Sequence, residues 1–138
     1  MSDKELIAKA LQARLKSYSP YSNYCVGAAI ECADGMIFCG CNVENATYGA
    51  TNCAERTTIF KAVSEGHRDF VKIAICGGPA SETELSDYAY PCGICRQVMR
   101  EFTNPNEFIV LVARSEDDYK TYLLNELLPD SFGPDYLL

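Results

Sequence analysis

The first segment of the chain carries hydrophobic residues at helical spacing. Ser2 and Glu5 form a reciprocal capping pattern, which is typical of a helix start. The pattern therefore predicts an amphipathic helix that extends to about Ser17. The apolar positions that define this helix are Leu6, Ile7, Ala10, Leu11 and Leu15.

Short apolar runs farther along the chain predict four strands, at residues 26–31, 36–43, 71–76 and 108–112. Asp34 and Gly35 predict a tight hairpin turn between the first two strands. Helices are predicted at about residues 53–65, where Gly66 ends the helix, and after Pro91. A final short helix is predicted at residues 122–129.

The alternation of strands and helices predicts parallel crossover connections, which are right-handed in proteins. We expect an α/β fold with three layers, α/β/α, around a mixed sheet of about five strands. One antiparallel hairpin and some parallel pairing are expected, and the position of the last strand stays open. The length of 138 residues predicts a single domain, residues 1–138.

Acidic residues outnumber basic ones, 19 to 12, and give a formal net charge of -7. Most of such a surface would repel a polyanion, so we expect no nucleic acid partner. The opening segment lacks the apolar core of a signal peptide, and no stretch approaches about 18 uninterrupted apolar residues. We therefore expect a cytoplasmic protein without a membrane partner.

The cysteines carry the chemical signal, because a tight cluster in a reducing cytoplasm favours metal binding or thiolate chemistry over disulfides. Cys53 and Glu55 begin one predicted helix, and Cys92 and Cys95 begin the next. Both helix starts are expected at one edge of the sheet, where the helix dipole favours thiolates. Three thiolates leave the fourth position of a tetrahedral zinc ion open for water, which Glu55 can reach. The pattern predicts a catalytic zinc centre.

Two other interpretations of these cysteines remain open. Cys92 and Cys95 after a proline match a dithiol redox motif. A zinc-stabilised interaction module would instead close the metal site with a fourth ligand, from Cys39 or Cys41. The cysteines outside the cluster are otherwise interpreted as small buried hydrophobic residues: Cys25, Cys32, Cys39, Cys41 and Cys76.

Four motifs that span nearly the whole chain resemble those of the small cytidine deaminases. They are Ser19-Pro20-Tyr21-Ser22-Asn23-Tyr24, Asn42-Val43-Glu44-Asn45-Ala46, Cys53-Ala54-Glu55-Arg56 and Pro91-Cys92-Gly93-Ile94-Cys95-Arg96-Gln97. The resemblance implies a homotetramer with one zinc ion (Zn²⁺) per subunit and a small-molecule nucleoside as substrate. The pockets of such a tetramer are completed by neighbouring subunits.

The same resemblance implies a reaction in pyrimidine salvage. Cytidine and 2′-deoxycytidine would be hydrolysed to uridine and 2′-deoxyuridine, with release of ammonia. In this class a zinc-bound hydroxide attacks C4 of the cytosine ring, and the glutamate, here Glu55, shuttles the protons. The implied metal ligands are Cys53, Cys92 and Cys95. The sequence leaves the preference among cytidine, deoxycytidine and their analogues open.

Five residues are implied to bind the nucleoside within one subunit. By the resemblance, Asn42 and Glu44 hydrogen-bond the ribose. Glu55 and the backbone around Ala54 contact the polar edge of the base. Tyr24 stands where the family usually has phenylalanine, so the ring that stacks on the base is retained with an added hydroxyl group; a purely packing role is the alternative.

Four further residues are implied to support the site from outside. Arg56 and Arg96 are implied partners of the cysteine thiolates, and solvated helix residues are the alternative. Tyr48 and Phe132 occupy positions that resemble the aromatic residues donated to a neighbouring subunit's pocket. Ordinary packing within one chain is the alternative for both aromatics.

Overall fold

A single mixed sheet forms the centre of the protein in the computed structural model, which describes all residues from 1 to 138. Its five strands lie in the order β2-β1-β3-β4-β5. The strands β1 and β2 form the predicted hairpin, and β3 and β4 form the parallel pair. Their bounds are Tyr24–Cys32 (β1), Ile37–Cys41 (β2), Phe70–Pro79 (β3), Ile109–Ser115 (β4) and Asp118–Leu123 (β5).

Four helices accompany the sheet: α1 (Asp3–Arg14), α2 (Ala54–Ser64), α3 (Gly93–Phe102) and the short α4 (Leu124–Leu127). The predicted cap of α1 is formed, because the Ser2 side chain accepts a hydrogen bond from the Glu5 backbone at 3.2 Å. Two single 3₁₀ turns lie at Tyr48–Ala50 and Pro134–Tyr136. None of the helices combines the length and the apolar character that crossing a bilayer requires.

The two faces of the sheet are covered by different helices, which confirms the three-layer prediction. Alternation of side chains along a strand sends neighbouring residues to opposite faces. Helix α1 packs on one face through Leu6, Ile7 and Ala10, against residues such as Ala74 and Leu111. Helices α2 and α3 pack on the other face against a larger core, which contains Ala28, Ile30, Ile59, Ile73, Ile75, Met99, Val110 and Val112.

The direction of the strands fixes where the helices begin. Strand β1 is antiparallel to both β2 and β3, so β2 and β3 run in the same direction. Helix α2 follows β2, and α3 follows β3. Both helices therefore start at the same edge of the sheet. The predicted crossover after the hairpin thus joins β2 and β3, which run in the same direction with β1 between them. The next crossover joins β3 and β4, which are parallel and adjacent.

The end of the chain differs from the sequence prediction. Residues 122 and 123, which were expected in a helix, belong to β5, and the helix that follows covers only Leu124–Leu127. Strand β5 is antiparallel to β4. Its residues are mostly polar and lie at the sheet's edge, so the strand lacks the apolar run that marked the other four. Because residues 122 and 123 pair with β4, the helix is shorter than predicted.

Gly27 marks the closest approach between α1 and the sheet. A Cβ atom at this position would lie 2.1 Å from the Ala10 carbonyl oxygen and 2.4 Å from the Arg14 backbone nitrogen. Backbone atoms cannot move aside as a side chain can, so any larger residue would displace α1. We expect Gly27→Ala to lower the free energy of unfolding by about 1–3 kcal/mol, the usual cost of overpacking.

Urea denaturation of the wild type and of Gly27→Ala would measure this change. Gly49→Ala is the matched control, because a Cβ at Gly49 meets nothing within 4 Å. Equal unfolding midpoints for the Gly27→Ala and Gly49→Ala variants would contradict the close packing of α1.

Candidate zinc centre

Two helix starts place three cysteines together. Cys53 is the residue that precedes the first turn of α2, and Cys92 is its counterpart at α3. Both adopt extended backbone angles, so their side chains stand at the mouths of the two helices. Cys95 follows in the first turn of α3, three residues after Cys92, and is fully buried. The predicted meeting of both motifs at one edge is formed.

The sulfur atoms are spaced as metal ligands would be. Sγ of Cys53 lies 3.8 Å from Sγ of Cys92, which lies 3.6 Å from Sγ of Cys95. All three sulfurs lie within 4.8 Å of one another. Two sulfurs bound tetrahedrally at about 2.3 Å from zinc would stand about 3.8 Å apart. The geometry therefore fits a zinc ion without any rearrangement of the backbone.

The cluster contains three protein ligands and no fourth. No other histidine, cysteine or carboxylate ligand atom joins this group, and no second group of this kind exists in the protein. Structural zinc sites in proteins usually have four protein ligands, whereas catalytic sites keep one position for water or substrate. Cys39 and Cys41, the candidates for a closing ligand, lie on the edge strand β2 and line a different groove.

Charge around the cluster favours a thiolate at Cys53. The hydrogen bond with the Cys95 thiol lowers the pKa of Cys53 to about 5, and Arg56 adds to this effect. Nη2 of Arg56 donates to Sγ of Cys53 at 3.3 Å, so the predicted contact between this arginine and a thiolate is present. The same hydrogen bond with Cys53, together with burial, raises the pKa of Cys95. A guanidinium at this distance also offsets the charge of several sulfur ligands.

Glu55 lies beside the cysteines in the first turn of α2. Only 4% of this residue is exposed. Burial is the main cause that raises the pKa of its carboxyl group to about 7. A carboxyl group with such a pKa can both accept and release a proton near neutral pH, which is what a general acid–base catalyst must do. Its position and burial agree with the role predicted for it.

A cavity of about 320 Å³ opens in front of the cluster. Its volume lies in the range of roughly 300–1,000 Å³ that is usual for small-molecule sites. Two of the metal ligands, Cys53 and Cys92, and the Glu55 carboxylate line this space, so a molecule bound in the cavity would contact the reactive groups. The lining residues are Tyr24, Val26, Asn42, Thr51, Asn52, Cys53, Ala54, Glu55, Tyr88, Ala89, Tyr90 and Cys92.

Besides Glu55, three of the predicted nucleoside-binding residues line this cavity: Tyr24, Asn42 and Ala54. Asn42 is 8% exposed, and its side-chain amide bonds to the backbone of two other residues that line the cavity. Nδ2 of Asn42 donates to the Tyr24 carbonyl oxygen at 2.8 Å, and Oδ1 accepts from the Val26 backbone nitrogen at 2.9 Å. Asn42 therefore positions Tyr24 whether or not it also contacts a ligand. Ala54, the third, is the first residue of α2, so its N–H has no partner inside the helix.

Glu44 lies in an adjoining cavity of about 320 Å³, which it lines with Tyr48. Thr51 lines both cavities, so they adjoin each other at this residue. The Glu44 carboxylate accepts hydrogen bonds from the backbone nitrogens of Tyr21 and Ser22 at 3.0 and 3.1 Å. A further hydrogen bond from the Ser22 hydroxyl is the main cause that holds the pKa of Glu44 below its usual range.

Three other predicted site residues make no hydrogen bond to the sulfur atoms within the chain. Tyr48 is 76% exposed, and Phe132 is 58% exposed and stacks on Tyr136. Arg96 makes no hydrogen bond to sulfur, which corrects the prediction of a thiolate contact. Its guanidinium donates to the carbonyl oxygens of Pro91 and Leu127 at 2.7 and 2.6 Å. Arg96 thus holds the residue before Cys92 in place through the backbone.

Tyr88 and Tyr90 are cavity residues that the sequence did not identify. Both belong to the segment between β3 and α3, which contains no helix or strand from residue 80 to residue 92. A long loop directly before a reactive cysteine was the available signal, because such loops often line sites. The loop alone did not indicate which of its residues would face the cavity.

Volume alone does not identify the site. A larger groove of about 720 Å³ lies among Phe70, Glu101 and Leu138, away from the three cysteines. It contains neither a cysteine nor the buried Glu55. Outside the cluster, Cys32 and Cys76 are buried as predicted, whereas the other three cysteines are half-buried.

The chain matches known proteins over almost its whole length. The family model for the cytidine and deoxycytidylate deaminase zinc-binding region matches residues 1–112. A protein named cytidine deaminase from Halalkalibacterium halodurans is 45% identical over 132 residues, which cover 96% of this chain and 95% of the relative. A probable cytidine deaminase from Dictyostelium discoideum is 37% identical and covers 100% of this chain and 90% of the relative.

Solved structures with the same fold carry similar names. The crystal structure of a cytidine deaminase from Burkholderia pseudomallei superimposes with a TM-score of 0.86 at 45% identity, covering 96% of this chain and 100% of that one. The cytidine deaminase of Mycobacterium tuberculosis gives a TM-score of 0.80 at 35% identity, covering 96% of this chain and 98% of that one.

Loss of one sulfur ligand should release the metal. We expect Cys95→Ser to purify with nearly no zinc, against about one ion per chain in the wild type, because two thiolates bind zinc far more weakly than three. Cys41→Ser is the matched control, since Cys41 bonds the Lys16 carbonyl oxygen and lies outside the cluster. Metal analysis of the purified proteins provides the measurement, and full zinc occupancy in Cys95→Ser would refute the ligand set.

Proposed function

Because the chain belongs to the cytidine and deoxycytidylate deaminase family, we propose that it hydrolyses cytidine and 2′-deoxycytidine to uridine and 2′-deoxyuridine, releasing ammonia. The observation that carries the proposal is a cluster of three cysteine sulfurs, able to hold zinc with one position left open, beside one buried carboxylate in the same cavity. A fold alone does not specify a reaction, whereas this arrangement of groups does.

Cys53, Cys92 and Cys95 would hold the zinc ion. When bound, zinc would lower the pKa of a water molecule and so supply a nucleophile near neutral pH. Arg56 balances the negative charge of the thiolates through its contact with Cys53. Without this balance, three thiolates would donate so much charge that the metal would polarise water less effectively.

Glu55 moves the protons of the reaction. It accepts a proton from the water whose oxygen adds to C4 of the pyrimidine ring, and it delivers a proton to N3. It then takes the second proton of that water from the hydroxyl group now at C4 and gives it to the amino group. The bond between C4 and that nitrogen breaks, the C4 carbonyl forms, and ammonia leaves. One carboxyl group can serve every step because N3 and the amino nitrogen are both bonded to C4, the carbon that the water attacks.

The cavity offers separate surfaces to the base and to the sugar. The free N–H of Ala54 is suited to the polar edge of the base, and the ring of Tyr24 is suited to stacking on its face. Asn42 and Glu44 line the two adjoining cavities, where they would bind the ribose hydroxyls. Buried polar partners of this kind discriminate strongly against analogues that lack the matching groups.

The two alternative functions leave observations unexplained. A dithiol redox protein needs only Cys92 and Cys95, and it gives no role to Cys53 at 3.8 Å or to the buried Glu55. A closed structural zinc site needs a fourth ligand, and the cluster has three. The net charge of -7 also favours a free nucleoside over a polynucleotide as the substrate.

We also propose that the whole chain acts as one catalytic domain within a homotetramer. The support is the exposure of Tyr48 and Phe132, which are 76% and 58% exposed in the isolated chain. Large aromatic rings gain most when they are removed from water at an interface. In this proposal, both rings complete the pocket of a neighbouring subunit.

Glu55→Gln should remove catalysis and keep the metal. Glutamine preserves the size of the side chain but cannot shuttle a proton, so we expect kcat to fall by about 10²–10⁴-fold. The loss of ultraviolet absorbance on deamination measures the rate, and metal analysis measures zinc. Glu65→Gln, an exposed glutamate at the end of the same helix, is the control and should retain wild-type activity. A fully active Glu55→Gln variant would exclude the assigned proton transfer.

Mixing two defective variants would test the shared pocket. In a mixed tetramer of Glu55→Gln and Phe132→Ala chains, some pockets would combine an intact Glu55 with an intact Phe132 from the neighbour. We expect these mixtures, after dissociation and reassembly, to exceed the summed activities of the two separate variants. If Phe132 acted within its own chain, every pocket would carry one defect and no activity would be recovered.

A further inference from the structure

One face of the edge strand β5 contacts the loop that forms a wall of the cavity. Asp118, Lys120 and Tyr122 lie two positions apart along β5, so their side chains share a face of the strand. No helix covers this face at Asp118 and Lys120. The loop residues Tyr88 and Tyr90 lie there instead, and they too are two positions apart in the sequence.

Tyr88 is held by two cations near its ring and by a carboxylate at its hydroxyl group. Its hydroxyl donates to a carboxylate oxygen of Asp118 at 2.6 Å. The Arg114 guanidinium carbon lies 4.7 Å from the centre of the Tyr88 ring, and Nζ of Lys120 lies 4.5 Å from it. Arg114 also donates from Nε to the other Asp118 oxygen at 2.8 Å, so the four side chains form one connected network.

Tyr90 is held by the same lysine. Nζ of Lys120 donates to the Tyr90 hydroxyl oxygen at 3.2 Å, and the hydroxyl groups of Tyr90 and Tyr122 are 3.1 Å apart. The rings of Tyr90 and Tyr122 also meet edge to face, with centres 6.0 Å apart. Lys120 therefore bridges both tyrosines of the cavity wall.

The loop has little else to hold it. Residues 83–91 take part in no backbone–backbone hydrogen bond, and they contain no helix or strand. Its other anchors involve side chains. Leu85 is buried, and the Glu82 carboxylate accepts hydrogen bonds from the backbone nitrogen and the hydroxyl group of Ser86. Arg114 donates to the Ser86 carbonyl oxygen at 3.1 Å, and Arg96 donates to that of Pro91. Without backbone pairing, the conformation of such a segment depends on its side-chain contacts.

We propose that Asp118, Lys120 and Tyr122 are positioning residues, which fix the wall formed by Tyr88 and Tyr90 against the bound nucleoside. The inference rests on the proposed function, because the cavity must be the nucleoside site. The three residues touch neither the zinc cluster nor the cavity, so they act through the two tyrosines. A displaced wall loses contacts with substrate and transition state alike, which raises KM and leaves kcat nearly unchanged.

Substitution of the bridging lysine tests the proposal. We expect Lys120→Met, which keeps the length of the side chain and removes its charge, to raise KM for cytidine about three- to tenfold with little change in kcat. Lys120→Arg should recover most of the loss, because it restores a cation and a donor. The control is Thr121→Val, at the neighbouring exposed position that points to the other side of the strand. An unchanged KM in Lys120→Met would overturn the inference.

A double-mutant cycle tests whether Asp118 acts through Tyr88. Tyr88→Phe keeps the ring and removes the donor, and Asp118→Asn weakens the acceptor. We expect each to raise KM, and the double variant to raise it no further than the larger single effect. If the effects of the two substitutions on KM multiplied instead, Asp118 would act independently of Tyr88. That result would overturn the inference that Asp118 acts through Tyr88. Zinc content and the urea midpoint of each variant separate a shifted wall from a lost metal or a less stable fold.

Cytidine binding to Glu55→Gln provides a readout without turnover. Calorimetry should show that cytidine binds more weakly to the double variant Glu55→Gln/Lys120→Met than to Glu55→Gln. The dissociation constant should rise by the same factor as KM. If the wild type fails to deaminate cytidine, the proposed function is wrong. If it deaminates cytidine and neither KM nor this dissociation constant responds to Lys120→Met, only the inference about β5 is wrong.

Discussion

The meeting of two helix starts at one edge of the sheet is the constraint on which the site depends. Because β2 and β3 are both antiparallel to β1, their carboxyl ends lie at the same edge, and α2 and α3 both leave from it. Each start carries a cysteine in an extended conformation, and the two sulfurs come within 3.8 Å. Ligands from two distant segments of the chain thus meet without a dedicated metal-binding loop. The close packing of α1 at Gly27 supports the same sheet from its other face.

The local electrostatics follow from placing several acidic groups in a small buried volume. Three thiols and a carboxyl group cannot all ionise there without compensation. The pKa of Cys53 is lowered by hydrogen bonds, whereas burial raises the pKa of Glu55. Arg56 supplies a positive charge at the cysteine that begins α2. The opposite shifts separate the roles: the sulfur is prepared to bind a cation, and the carboxyl group is prepared to exchange protons.

Sequence patterns predicted the parts of the fold that are apolar and the part of the site that is concentrated in two motifs. The cysteine spacing and the helix starts sufficed to predict that Cys53, Glu55, Cys92 and Cys95 lie together. Helix geometry relates the residues within each motif, and the expected strand directions bring both motifs to one edge of the sheet. Strand β5 was not placed, because its exposed polar residues give no apolar run. Tyr88 was not recognised because its place depends on a strand about 30 residues away. Contacts between distant segments of this kind leave no periodic pattern in either segment.

The metal ligands and the cavity wall are held in place by different kinds of contact. The metal ligands and Glu55 stand at helix starts, whose positions are set by backbone hydrogen bonds and by the buried core. The wall that carries Tyr88 and Tyr90 has no backbone pairing and depends on side chains of β5. An edge strand must carry charged residues in any case, because a bare apolar edge would pair with another chain. Lys120 and Asp118 meet that requirement and hold the wall as well, so substitutions on β5 can reshape the pocket while the catalytic groups stay in place.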